Sequence, residues 1–156
     1  VVGTRAANDG TGRFNIYAGT GQYPTKIGML TRSTDGGTSS LTFDTEDATD
    51  NFRMVLGYRD YTQTSQKVVI DAANSYTTTT PTGVITSTQG SASAVIGAET
   101  SGPLNPFNGD VCCVIIGTNP LTTQEQDKIF GWAAHKYGLT ANLPSGHPYK
   151  TLVPTV

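Results

Sequence analysis

Residues 110–117, DVCCVIIG, carry apolar side chains on both faces of a prospective β-strand. Side chains alternate along a strand, so Val111, Cys113 and Ile115 share one face and Cys112, Val114 and Ile116 the other. A strand of an antiparallel sheet ordinarily leaves one face to water, whereas this run needs cover on both. A helix signal follows at once. Thr122 and Glu125 have capping-box spacing, Gly138 is placed for a left-handed C-cap, and Asp127 and Lys136 suit the two ends of the helix dipole. Ile129, Phe130, Ala133, Ala134 and Tyr137 recur at helical spacing. The expectation is a helix over about 122–137 whose apolar face roofs the outer side of the 110–117 strand, with Trp132 and His135 at the core edge. Exposure of Val111 to Ile116, or an outward Ile129/Ala133 face, would remove this architecture and the attachment reading that leans on it.

The rest of the chain is a series of short β-prone runs between turn signals. Residues 13–18 (RFNIYA) and 26–32 (KIGMLTR) read as strands, the second with Ile27 and Met29 on one face. Residues 40–43 precede an acidic loop, and Phe52, Met54, Leu56 and Tyr58 alternate along the next strand. Residues 67–72 (KVVIDA) read as its hairpin partner, with 84–86 and 94–98 as further strands. Residues 76–82 (YTTTTPT) are a low-complexity strand end or loop. The tail, 139–156, has three prolines and reads as an extended strap over the surface. These elements predict one all-β, two-sheet antiparallel sandwich over 1–156.

Composition agrees. Thr occurs 26 times and Gly 18 times, favouring strands and turns, while charged residues make up 14%, against about a quarter in ordinary domains. The net charge is −2 and the cations are scattered, which argues against nucleic-acid binding. No apolar run is long enough to cross a bilayer as a helix, so membrane insertion is not expected. The first residue is Val1, so the expectation is a processed product or one domain of something longer. Cys112 and Cys113 are neighbours, point to opposite faces of a strand, and read as two buried free thiols.

The final third resembles a known signature. Phe107-Asn108-Gly109-Asp110 leads into the apolar run; Leu121-Thr122-Thr123 opens the helix; Lys136-Tyr137-Gly138-Leu139 ends it. Leu143-Pro144-Ser145-Gly146-His147-Pro148-Tyr149-Lys150 completes the pattern. This resembles the C-terminal part of laminin-G-like, concanavalin A-like jelly-roll domains, and the HPYK version is similar to those in tailed-phage structural proteins. The hairpin 52–72 resembles the family's central strand pair. The resemblance implies a jelly roll and a packing role for His147; complete domains of the family usually carry further strands ahead of a run like 13–18, so this chain is expected to be slightly short of one.

For function, the resemblance implies a non-catalytic virion module (fibre, spike or decoration protein) recognising host-surface carbohydrate or contacting other virion proteins, alone or as a homo-oligomer, in a virion or extracellular setting. A bacterial surface adhesin or lectin is the alternative, and a glycoside hydrolase relative a further one. Retaining hydrolysis needs paired carboxylates across the bond. The family places them as Glu-x-Asp-x-Glu, and the nearest run here, 42–46, has Thr42 where the nucleophile belongs, so no enzyme activity is expected. A glycan site would use Tyr58, Arg59, Asp60 and Tyr61 at the hairpin tip, with Tyr23 and Tyr76 in other loops, since sugars are held by aromatic faces and polar loop side chains. Asp44, Glu46, Asp47 and Asp50 crowd one loop and could hold calcium, although they lack a defined ligand spacing. No other cofactor is implied.

Overall fold

The computed structural model describes residues 2–4, 13–18, 25–32, 39–47, 51–59, 65–79, 94–98, 106–119 and 121–155. Among the described residues, eight strands form two antiparallel sheets. The larger contains β1 (Val2–Thr4), β2 (Arg13–Ala18), β3 (Lys26–Arg32), β4 (Ser39–Asp47) and β8 (Ala94–Ile96), in the order β4-β3-β2-β1-β8. The smaller is β5 (Val55–Arg59), β6 (Ser65–Ile70) and β7 (Asn74–Thr79), in the order β5-β6-β7. One helix, α1 (Thr123–Tyr137), and a 3-10 turn, Thr140–Asn142, follow. The predicted strands at 13–18 and 26–32 form over those bounds. The predicted strand at 52–58 forms only from Val55, with Phe52 ahead of it and exposed. Its hairpin partner runs over 65–70 rather than 67–72, whose Asp71 and Ala72 lie in the turn. β1 is a strand ahead of Arg13. Residues 84–86 lie outside the described part.

The two sheets meet over Ile27, Met29, Val68 and Ile70, with Phe14, Ile16, Val55 and Tyr76 packed around them. Ile27 and Met29 project from the same face of β3, as their spacing predicts, and burial of each of these side chains is worth about 1.5–3 kcal/mol. Gly57 of β5 is needed for the close approach. A Cβ there would lie 2.7 Å from Ile16 Cδ1 and 2.9 Å from Met29 Sδ. Between the sheets the Thr31 hydroxyl donates to Gln66 Oε1, and Gln66 Nε2 donates to Met29 O at 3.3 Å.

The helix forms as its sequence predicts. Thr122 Oγ1 accepts from Glu125 N–H at 3.3 Å, the Glu125 carboxylate accepts from Thr122 N–H at 2.7 Å, and Gly138 closes the helix at φ 71°. The Thr122 hydroxyl and backbone N–H hold the Glu125 carboxyl below its usual pKa. Its location corrects the expectation. Phe130 and Ala134 pack with Met54, Val69 and Leu143, and Ala133 joins them, so α1 roofs the outer face of β5 and β6. Three layers result: the larger sheet, the smaller sheet, and helix with tail.

Residues 110–117 are not under that roof. They join no ladder with the described strands, and Val111, Ile115 and Ile116 are 42%, 59% and 71% exposed. The strand covered on both faces is β6 instead. Its Gln66, Val68 and Ile70 face the larger sheet, and Val69 faces the helix. The doubly covered 110–117 strand is therefore withdrawn; a helical roof exists, over a different strand.

The β6–β7 turn carries two non-glycine residues in the left-handed region, Asp71 at φ 53° and Ala72 at φ 58°. Asp71 is buried, accepting from Met54 N–H at 2.9 Å and from Arg53 Nη1 at 2.7 Å. Ordinary side chains lose roughly 1–2 kcal/mol in this conformation, which these charge-assisted bonds offset.

Candidate functional site

The predicted glycan residues divide. Tyr58 and Arg59 end β5, half-buried, opposite Lys67 and Gln66 of β6. Asp60 and Tyr61 lie outside the described residues, as does Tyr23. Tyr76 is not a loop residue: it sits in β7 opposite Val68 and packs against the inter-sheet core. Among the described residues, the tyrosines do not form one aromatic rim.

The acidic loop is also relocated. Asp44, Glu46 and Asp47 belong to β4, whose Asp47 stands in register with Lys26, while Asp50 is outside the described residues. The same strand contains the whole 42–46 run. Among the described residues no cluster of three His, Cys, Asp or Glu side chains could hold a metal, and no helix is long and apolar enough to cross a membrane.

The surface with the most unusual chemistry is the one misplaced by sequence. Residues 110–117 run past the C-terminal end of α1, where Tyr137 Oη donates to Cys112 O at 3.4 Å. Cys112 and Cys113 are free, as expected, but exposed rather than buried. Beside them Trp132 and Tyr137 meet edge to face, with centroids 6.3 Å apart, and Lys136 Nζ lies 4.6 Å from the Trp132 ring centre. A cation over an aromatic face is held by the ring quadrupole. The result is an apolar ribbon next to an aromatic patch, with bare thiols in the middle. Such a surface suits contact with another apolar surface, since Val111, Ile115 and Ile116 expose apolar area beside the aromatic pair.

The tail is docked rather than merely draped. Leu143 enters the helix core, and Lys150 Nζ donates to Leu143 O at 2.5 Å and Ala141 O at 3.0 Å. His135 Nε2 donates to Tyr149 O at 3.0 Å. His147 is buried, and its Nδ1 accepts from Tyr149 N–H at 3.2 Å, in keeping with the packing role its motif implies. Sequence reasoning missed the Gln66–Thr31 and Asp71–Arg53 pairs. One signal was present: Gln66 shares a strand face with Val68 and Ile70, and a polar residue on such a face needs an internal partner.

Set against this geometry, no family model, curated protein or solved structure matches the chain.

Proposed function

We propose that the chain is a laminin-G-like jelly-roll module that serves a virus particle by assembly or attachment and performs no chemistry. A covered 110–117 run, on which attachment was expected to depend, is absent from the structure. What supports the present one is the opposite observation: an apolar ribbon, Val111 to Ile116, lies open on a domain that is otherwise stacked in three layers. Contiguous exposed apolar surface marks contact with other macromolecules. It shifts weight from a sugar-binding rim towards protein contacts with a second copy or another particle protein. The two stacked antiparallel sheets and the fastened HPYK tail support the family resemblance. The virion or extracellular setting rests on that resemblance.

Co-purification with intact particles and light-scattering mass of the isolated chain test the proposal. The expected result is particle association and an oligomer that Ile115→Lys with Ile116→Lys converts to monomer. A monomer that stays off particles, binds glycans and loses that binding in Tyr61→Ala would replace it with a lectin or adhesin reading. Release of reducing ends from laminarin-type or capsular glycans would overturn the absence of chemistry; none is expected.

A further inference from the structure

The histidine of the tail sits in an arrangement suited to only one protonation state. His147 Nδ1 accepts from Tyr149 N–H at 3.2 Å, so the neutral ring carries its proton on Nε2. That Nε2 is buried without a hydrogen-bond partner, and the Asp127 carboxylate on α1 lies 3.6 Å away, beyond good bonding distance. The segment has little room to adjust: a Cβ on Gly131 of α1 would lie 2.4 Å from Tyr149 Cβ.

We propose that His147 is an acid-sensitive fastener, and that protonating its imidazole loosens residues 144–150 from α1. Protonation turns Nδ1 from acceptor to donor and sets it against the Tyr149 N–H, with a charge introduced into a buried ring. The charged and titratable groups facing the ring are Asp127 on α1 and, within the tail, Lys150 and the neighbouring Tyr149. Asp127 favours the cation, but its side chain is 30% exposed and water screens it. Burial dominates and, with Lys150 adding to it, holds the imidazole below its usual pKa of 6.5 against the pull of Asp127. A base whose folded pKa is depressed stabilises the fold most above the unfolded value. That contribution is lost as pH falls through 6.5 towards the folded pKa.

Hydrogen exchange of the Tyr149 and Lys150 amides between pH 7.5 and 5, corrected for intrinsic rates, reads the fastener directly. Expected is a fall in protection approaching about tenfold per pH unit, the most a single proton can produce. His147→Asn keeps an acceptor near the Nδ1 position and cannot titrate, so its protection should stay flat. Flat protection in the wild-type chain, or an equal fall in the Asn variant, overturns the proposal. Should that variant fail to fold, carbon-labelled histidine NMR on the wild-type chain decides, since His135 is the only other histidine. The ring assigned to His147 must titrate with the same midpoint as the amides; titration without change in amide protection overturns the proposal.

Discussion

β6 and residues 110–117 are both rich in apolar side chains, yet one is covered on both faces and the other is largely bare. In β6, Val68 and Ile70 are fully buried against the larger sheet while Val69, 7% exposed, packs under Phe130. In 110–117, Val111, Ile115, Ile116 and both cysteines are exposed, although from Val111 to Ile116 the run has no polar or charged side chain such as β6 carries at Gln66 and Lys67. The lesson concerns what periodicity reports. It reports which side chains need cover and is silent on which element supplies it, because cover depends on contacts between residues far apart in the chain.

The comparison breaks most easily at the helix seat. Phe130→Ala should cost about 3–5 kcal/mol in urea unfolding, and Val69→Ala about 1.5–3 kcal/mol. The double variant should be non-additive by at least about 0.5 kcal/mol, as touching residues are. Ile115→Ala should cost under about 0.5 kcal/mol, as exposed positions do. A large loss at Ile115 with additive Phe130 and Val69 would return the roof to 110–117.

Asp71→Ala strips the charge-assisted bonds at the end of β6 and should cost about 2–3 kcal/mol, measured the same way. Gly131→Ala sets two effects against each other. Alanine gains about 1 kcal/mol of helix propensity, whereas the Tyr149 contact at 2.4 Å costs about 1–3 kcal/mol in overpacking. The contact wins, since a Cβ cannot swing aside, and tail protection in hydrogen exchange should fall with stability. Thr122→Ala, which removes one cap, should cost about 1 kcal/mol by thermal unfolding. The smallest effect sharpens the other side of the comparison: both cysteines should react with a thiol reagent in the native chain as fast as in the unfolded one, with no loss of helix signal in circular dichroism.

Local features were the legible ones. The helix with both caps, the β5–β6 hairpin, the strand β2 and the shared face of Ile27 and Met29 on β3 follow from spacing, because each is decided within a few residues. The seat of α1 was not legible. The helix starts soon after residue 117 but packs on Met54 and Val69, far back in the chain, and nothing in its own pattern favours one apolar surface over another. Tyr76 read as a loop residue because its threonine-rich surroundings lack alternation; ladder bonds to β6 make it a strand. The candidate surface was read inverted, its residues singled out for the right reason, apolarity, and assigned the wrong exposure.

The Gln66–Thr31 bond between the sheets bears on more than the stability of the domain. Apolar faces slide across one another at modest cost, whereas an amide sealed among methyl groups tolerates only the placement in which its polar ends are met. Moving β6 by one residue would bring Lys67 into the interior, and moving it by two would take Gln66 Oε1 away from the Thr31 hydroxyl that donates to it. One amide side chain thus works as a detent that selects a single alignment of the two sheets from several that hydrophobicity alone would permit.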